Sequence, residues 1–344
     1  MSNITINSSS LPDPAPVLDL IESFRRSKAM FAAVSLGVFD ALAAGDKPLA
    51  DLARELACSE DGLERLLDTC VCLGLLKKAE GMYGNLPVSQ TYLISTSPRR
   101  VTGYIGFSNN AMWKLWSHLE DAVREGSHRW LQTYGTDGPI FSHFFETEAA
   151  KREFLLGMHG YGMISSPHVV SAFDLSRFQH LVDLGGATGH LACAACERYP
   201  QMQATVFDLP EAIPMADEFI AQTTVAARVR TVGGDFFSDP LPTADLMAVG
   251  RILHDWSLEK VRRLLDRIVE ALPPGGGLLV AEKLLWDDKS GPRWALLQSL
   301  NMLTCTEGKE RTLGEYTDLL KAAGFSQVSG CATASPLDAI LAIK

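Results

Sequence analysis

The stretch LVDLGGATGHL, residues 181–191, decides the fold. A short apolar run from Leu181 to Leu184 reads as a buried strand. Gly185, Gly186 and Gly189 follow, and the apolar residues beyond His190 open a helix. Glycines at a strand-to-helix turn let the chain bend tightly and let backbone approach a ligand, because no Cβ intervenes. In open α/β sheets, ligands gather beyond the carboxyl ends of the strands.

Working outward, the same grammar continues from Phe178 to the end of the chain. Short apolar runs recur at HLVDL, ATVFDL, RVRTV, DLMAVGRIL and GLLVAEKLL, with helical segments between most of them. In SLEKVRRLLDRIVEAL, Val261, Leu264, Leu265, Ile268, Val269 and Leu272 recur at helical spacing before Pro273-Pro274-Gly275 stops the helix. Thr312 with Glu315 forms a capping box for a last helix ending at Gly324. SQVSGCA and DAILAIK suit a closing antiparallel pair. The class is α/β, a parallel sheet covered by helices on both faces.

Residues 17–100 read differently. VLDLIESFRRSKAMFAAVSLGVFDAL is apolar nearly all round, the mark of a helix buried against another element or chain. LADLARELAC, SEDGLERLLDTCVCLGLL (N-cap Ser59) and a hairpin turning near Gly81 complete a helical, winged-helix pattern. Its second helix opens Glu60-Asp61, which would repel phosphates, so this region reads as a dimerisation module and not a nucleic-acid reader. Residues 1–16 are polar and proline-rich and read as a disordered arm, not a signal peptide. Residues 101–170 read as a helical linker, broken at YGTDGPIF by Gly135, Gly138 and Pro139. Its Met158 and Met163 are either core or the roof of a substrate pocket.

The net charge of −10 disfavours nucleic acid and anionic membrane as partners, and no apolar run is long enough to span a bilayer. Seven cysteines without a disulfide pattern suit a reducing, cytoplasmic setting. Cys193 and Cys196, spaced as CxxC without a second pair, read as apolar helix residues.

Three successive strand ends then assemble a ligand site. Asp183 precedes the glycines, where it would attract an ammonium more than a pyrophosphate. Asp208 ends the next strand, 25 residues on, where a carboxylate can accept from both hydroxyls of a ribose. Gly234, Asp235 and Phe236 end the third and offer an acceptor and an aromatic edge for a base. This is an adenosine site without a phosphate clamp. At the next strand end stand His254 and Asp255, with Trp256 read as packing and His190 as a near-surface helix start.

VDLGGATG, VFDLP, GDFFSDPLPTADL, RILHDWS, PGGGLLVAEKLL, SLNMLTCTEGKERT and DAILAIK, in that order, resemble the class I S-adenosylmethionine-dependent small-molecule O-methyltransferases, within them the hydroxyindole and phenol methyltransferases. The resemblance implies a C-terminal Rossmann-like methyltransferase domain (171–344), an N-terminal winged-helix dimerisation domain (17–100) pairing two chains, and S-adenosylmethionine as cofactor. It implies His254 as general base flanked by Glu282 and Glu307. Asp183, Gly185, Gly186, Asp208, Gly234, Asp235, Phe236 and Arg251 hold the cofactor, and Asp255, Asn301 and Cys305 meet a small aromatic hydroxylated substrate. No metal is implied. Ala187 stands where relatives often carry glycine, Cys305 where hydroxyindole enzymes carry a glutamine, and Gly162 where they place a tryptophan. The rival readings are N- or C-methylation on the same scaffold, and a non-enzymatic ligand-binding winged-helix regulator.

Overall fold

The computed structural model describes residues 12–135 and 147–344. Most of the 1–16 arm, and Gly138 and Pro139 of the expected break, lie outside the described residues. The chain divides into one unit ending at Ser97 and a second running Pro98–Lys344.

In the first unit the leading helix spans Ala15–Ser35, two residues earlier than its apolar pattern suggested, because the Asp13 carboxylate accepts the Ala15 N–H at 2.9 Å. Its Val17, Leu18, Leu20, Ile21 and Phe24 are 55–73 % exposed within the single chain. Helices Leu49–Glu55 and Glu60–Cys72 follow, the latter capped by Ser59 accepting from Gly62 N–H. The strands β1 (Lys47–Pro48), β2 (Leu76–Ala79) and β3 (Met82–Asn85) form a small antiparallel sheet in the order β1-β3-β2. Glu80 and Gly81 both take positive φ (52° and 76°), the primed turn that matches strand twist.

The second unit is built on seven strands: β4 (His180–Leu184), β5 (Gln203–Asp208), β6 (Val229–Gly233), β7 (Leu246–Gly250), β8 (Gly277–Glu282), β9 (Gln327–Cys331) and β10 (Asp338–Ile343). Their order is β6-β5-β4-β7-β8-β10-β9, parallel from β6 to β8, with β10 antiparallel to both β8 and β9. Alternation sorts the strand residues onto two buried faces. Val182, Leu184, Met247, Val249, Leu278 and Val280 enter one apolar core; Leu181, Leu246, Ala248, Leu279 and Ala281 enter the other. Both faces are covered, which is why these strands read as continuous apolar runs. Chain order reverses between β4 and β7, and the crevice at that switch point is where ligands settle in such sheets.

The helices of 102–171 belong to this second unit. The long helix Glu148–Ser171 crosses helix Thr102–Phe107 closely: a Cβ on Gly103 would meet the backbone of Leu156 and Gly157 at 2.7 Å. A π-turn at Ser108–Met112 interrupts the next helical stretch. No helix among the described residues is long and apolar enough to cross a membrane. Cys193 and Cys196 are buried free thiols on helix His190–Arg198.

The capping box is present in full: Thr312 Oγ1 accepts from Glu315 N–H at 3.1 Å, and Glu315 Oε2 accepts from Thr312 N–H at 2.9 Å. Thr312→Ala should therefore cost about 1 kcal/mol, read as a lower urea midpoint, whereas Thr312→Ser, which keeps the capping hydroxyl, should leave most of it in place.

Candidate active site

A cavity of about 370 Å³ opens at the carboxyl ends of β4, β5, β6 and β7. One wall is the glycine loop. Gly185 and Gly189 take positive φ (69° and 77°), and so does Ala187 (50°), an uncommon conformation for a residue with a Cβ. A Cβ on Gly185 would lie 2.4 Å from Ile252 Cδ1, and one on Gly186 would lie 2.7 Å from Asp183 Oδ2. Only glycine fits this cradle.

Asp183 is buried and its Oδ2 has no hydrogen-bond partner among the described residues. Burial, then the nearby Asp208, pushes its pKa up to about 7. Such an orphaned acceptor beneath a glycine loop fits the ammonium of an amino-acid-bearing ligand. Asp208 accepts from Ala187 N–H (Oδ2, 2.7 Å) and Leu209 N–H (Oδ1, 2.7 Å), and burial raises it to about 6. Gly234 passes against Phe207, whose ring a Cβ would meet at 2.5 Å. Asp235 and Phe236 line the cavity, but the Asp235 carboxylate also holds its own turn by accepting from Phe237 N–H and Ser238 Oγ.

His254 sits beyond the end of β7, buried, in a loop that begins with a left-handed Arg251 (φ 57°). The Arg251 N–H donates to Ala281 O at 3.0 Å, and its guanidinium lies 4.5 Å over the Tyr161 ring. Glu282, closing β8, accepts on Oε1 from the N–H groups of Ile252 (3.0 Å), Leu253 (2.9 Å) and His254 (3.4 Å). Its Oε2 stands 3.4 Å from His254 Nδ1.

The second carboxylate on His254 is Glu310, not Glu307. Glu310 Oε1 lies 2.6 Å from Nδ1, whereas the Glu307 carboxylate pairs with Lys260 at 2.6 Å. Glu307 touches the motif through its backbone, donating N–H to Asp255 O at 3.0 Å. Beside it, a Cβ on Gly308 would meet His254 O at 2.1 Å, and Arg311 donates to Leu253 O at 3.0 Å. This loop is thus strapped onto the histidine loop, and the strap aims residue 310 inward. Two acids three residues apart in one irregular segment carry no periodicity to say which faces in, although both stand in the quoted TEGKER.

The other ring nitrogen of His254, Nε2, lies 3.6 Å from Asp255 Oδ1. Burial raises Asp255 to about 7 and Glu310 to about 8, the latter opposed by Arg251 and Arg311. His254 Nδ1 and the carboxylates of Glu282 and Glu310 lie mutually close enough to hold a cation. At 2.6 Å the Nδ1–Oε1 contact is shorter than an ordinary N–H···O hydrogen bond.

Asn301 is fixed by Trp116, whose Nε1–H donates to Asn301 Oδ1 at 2.7 Å; the Asn301 Nδ2 lies 3.6 Å from Cys305 Sγ. Phe107, Met112, Phe154, Met158 and Met302 supply apolar wall. Met163 does not: one residue round the helix from the wall position Gly162, it is 41 % exposed and absent from the cavity lining. His190 is also corrected: it opens its helix as expected but faces into the cavity. Trp256 packs edge-on against Phe237 at 5.0 Å while touching the cavity rim.

A family model for an O-methyltransferase domain matches residues 116–326, and one for an O-methyltransferase dimerisation domain matches 18–95. The chain is 43 % identical over 336 residues to a human protein named a probable bifunctional dTTP/UTP pyrophosphatase/methyltransferase, covering 97 % of this chain and 54 % of that one. It therefore spans about half of that relative's length. It is 39 % identical over 338 residues to the Gallus gallus acetylserotonin O-methyltransferase, covering 96 % and 97 %. A crystal structure of human N-acetylserotonin methyltransferase in complex with SAM superposes with a TM-score of 0.92 at 38 % identity, covering 98 % and 99 %.

The short Nδ1 contact should give a downfield, slowly exchanging imidazole proton in the NMR spectrum. Glu307→Gln should leave that signal in place and Glu310→Gln should move it upfield. The reverse pattern would put the wrong carboxylate on the ring.

Proposed function

Because the chain belongs to the O-methyltransferase family and carries its dimerisation domain, we propose that it methylates the hydroxyl of a hydroxyindole or similar phenol, with His254 as general base. It is an S-adenosylmethionine-dependent O-methyltransferase. The cofactor supplies an electrophilic methyl group whose leaving group is a neutral thioether, so no acid is needed at that end. The Asp183 orphan, the Gly185–Gly186 cradle and the Asp208 carboxylate fit its ammonium, its close approach and its ribose respectively.

What the protein must manage is the acceptor. A phenolic hydroxyl has a pKa near 10 and is scarcely ionised at neutral pH. His254 Nε2 takes its proton as the oxygen attacks, and the resulting imidazolium is met by Glu310 at 2.6 Å, Glu282 at 3.4 Å and Asp255 at 3.6 Å. The His254–Glu310 hydrogen bond is the observation that supports this reading, since an ionised Glu310 that accepts Nδ1–H leaves Nε2 to take the proton and faces the charge that forms. Phe107, Met112, Phe154 and Met302 offer a flat aromatic ring an apolar slot, with Asn301 and Cys305 as its polar end. The resemblance to acetylserotonin enzymes favours a hydroxyindole; Cys305, where a glutamine was expected, leaves that end smaller and less polar.

The reading includes a homodimer formed through the exposed apolar residues of helix Ala15–Ser35. Lys77 and Lys78 of the hairpin pair with Asp46 and with Asp68 and Glu64, which supports dimerisation over phosphate contact. Ile21→Glu with Phe24→Glu should convert a sedimenting dimer to monomer; an unchanged sedimentation coefficient would count against this interface.

Two measurements test the chemistry. Wild type, given methyl-labelled S-adenosylmethionine and a panel of hydroxyindoles and phenols with EDTA present, should form labelled ethers, and His254→Ala should lose about 10²- to 10⁴-fold in kcat. Equal rates would dismiss His254 as the base. Asp183, Asp208 and Asp255 have folded pKa values of about 7, 6 and 7, above their unfolded value. The folded chain therefore binds more protons, and the stability this confers is complete below about pH 4 and lost as pH rises through the folded values. His159 and His190, lowered by burial to about 4 and 3, act with the opposite sign up to their unfolded value near 6.5, so ligand-free Tm should fall only between about pH 6.5 and 8. The cofactor should raise Tm more at pH 8, where Asp183 is ionised. An equal rise at both pH values would remove Asp183 from the ammonium.

A further inference from the structure

His190 is the cavity residue to which the reading above assigns no task. It begins helix His190–Arg198, directly after the glycine loop. Two features of the long helix hold its ring. A Cβ built on Gly162 would lie 2.3 Å from the imidazole Cγ and Cδ2 and 2.4 Å from Nδ1, so the ring rests on bare backbone and excludes any side chain there. One turn on, Ser166 Oγ lies 2.9 Å from Nδ1. One helix face thus provides both the seat and the latch.

The latch bears on the tautomer. Neighbouring Ser165 donates its hydroxyl to Tyr161 O, but Ser166 Oγ has the imidazole as its only hydrogen-bond partner among the described residues. Burial, then His159 and Arg251, lowers the ring's pKa to about 3, so it is neutral. Where the Ser166 hydroxyl donates to Nδ1, Nε2 carries the ring hydrogen on a side chain that lines the cavity.

A zwitterionic ligand end needs an acceptor for its ammonium and donors for its carboxylate. Asp183 provides the first. His190 Nε2–H, at the N-terminus of helix His190–Arg198 where the helix dipole is positive, provides the second; the Ala192 amide of that first turn is already given to Asp183. We propose that His190, seated on Gly162 and latched by Ser166, is a cofactor-positioning residue that donates Nε2–H to the methionyl carboxylate of S-adenosylmethionine. This rests on the reading that the cofactor occupies these strand ends.

Calorimetric titration with S-adenosylhomocysteine and with its decarboxylated analogue separates recognition from packing. His190→Ala should weaken S-adenosylhomocysteine binding about 10- to 100-fold and leave the analogue within about threefold. Gly162→Ala, which evicts the ring without altering it, should give the same pattern, and the double variant should be no worse than either alone. His190→Gln, retaining an amide donor, should recover part of the affinity. Retained binding of the analogue reports that each variant is folded; should His190→Ala not fold, Ser166→Ala carries the same expectation. Equal weakening of both ligands would make His190 a packing residue, and no weakening of either would place it away from the cofactor. Failure of wild type to bind S-adenosylhomocysteine would instead overturn the cofactor reading on which the proposal stands.

Discussion

Glu282 closes a strand at a place with no access to water, and a carboxylate there must gather donors or lose its charge. It gathers three, the successive N–H groups of Ile252, Leu253 and His254 on a single oxygen. Amides one residue apart point the same way only if the chain curls, and the curl begins with Arg251 in the left-handed region. Burial raises the Glu282 pKa, while His254, Arg251 and the amides pull it back. The histidine is thus placed by its backbone first. Its ring orientation follows from a second carboxylate, Glu310, delivered by a loop pressed so closely on the histidine carbonyl that position 308 has no room for a side chain.

That division explains what the sequence could disclose. Strands and helices transmit facing through a fixed period, so the two faces of β4, β7 and β8, the capping box at Thr312 and the glycine loop could all be read from residue order. Asp183, Asp208 and His254 sit at or beside strand ends and were legible for the same reason, whereas Glu282 was reached only through the family resemblance. Glu310 was not legible, because residues 306–311 are irregular, and which of two acids turns inward depends on tertiary straps at Glu307 N–H, Gly308 and Arg311. His190 and Met163 failed differently. Both lie on helices, but the face a helix presents to a cavity depends on how it crosses its neighbours, and Gly103, Gly157 and Gly162 set that crossing. Glycine leaves no apolar stripe to betray the packed face.

The wall of the cavity also shows why chemically different ends coexist in one crevice. Around the glycine loop the raised carboxylates, Asp183 and Asp208, lie with few compensating cations, a field suited to a positively charged ligand. Around His254 the acids are balanced by Arg251 and Arg311, so a proton moving onto the imidazole changes local charge without leaving an acid unpaired. One end attracts a cation; the other accommodates the formation of one.

Two strained residues flank the crevice. Ala187 and Arg251 both take positive φ, and they lie on the loops leaving β4 and β7, the adjacent strands where chain order reverses. Each strained residue gives its N–H to the strand on its far side: Ala187 to Asp208 at the end of β5, Arg251 to Ala281 of β8. Each bond offsets part of the backbone strain, of order 1–3 kcal/mol, at its residue. Where the loops meet, Gly185 leaves room for Ile252, which would otherwise collide with a Cβ at 2.4 Å. Binding space at a parallel-sheet switch point comes with the topology, and here the loops on its two sides are each tied to the neighbouring outer strand.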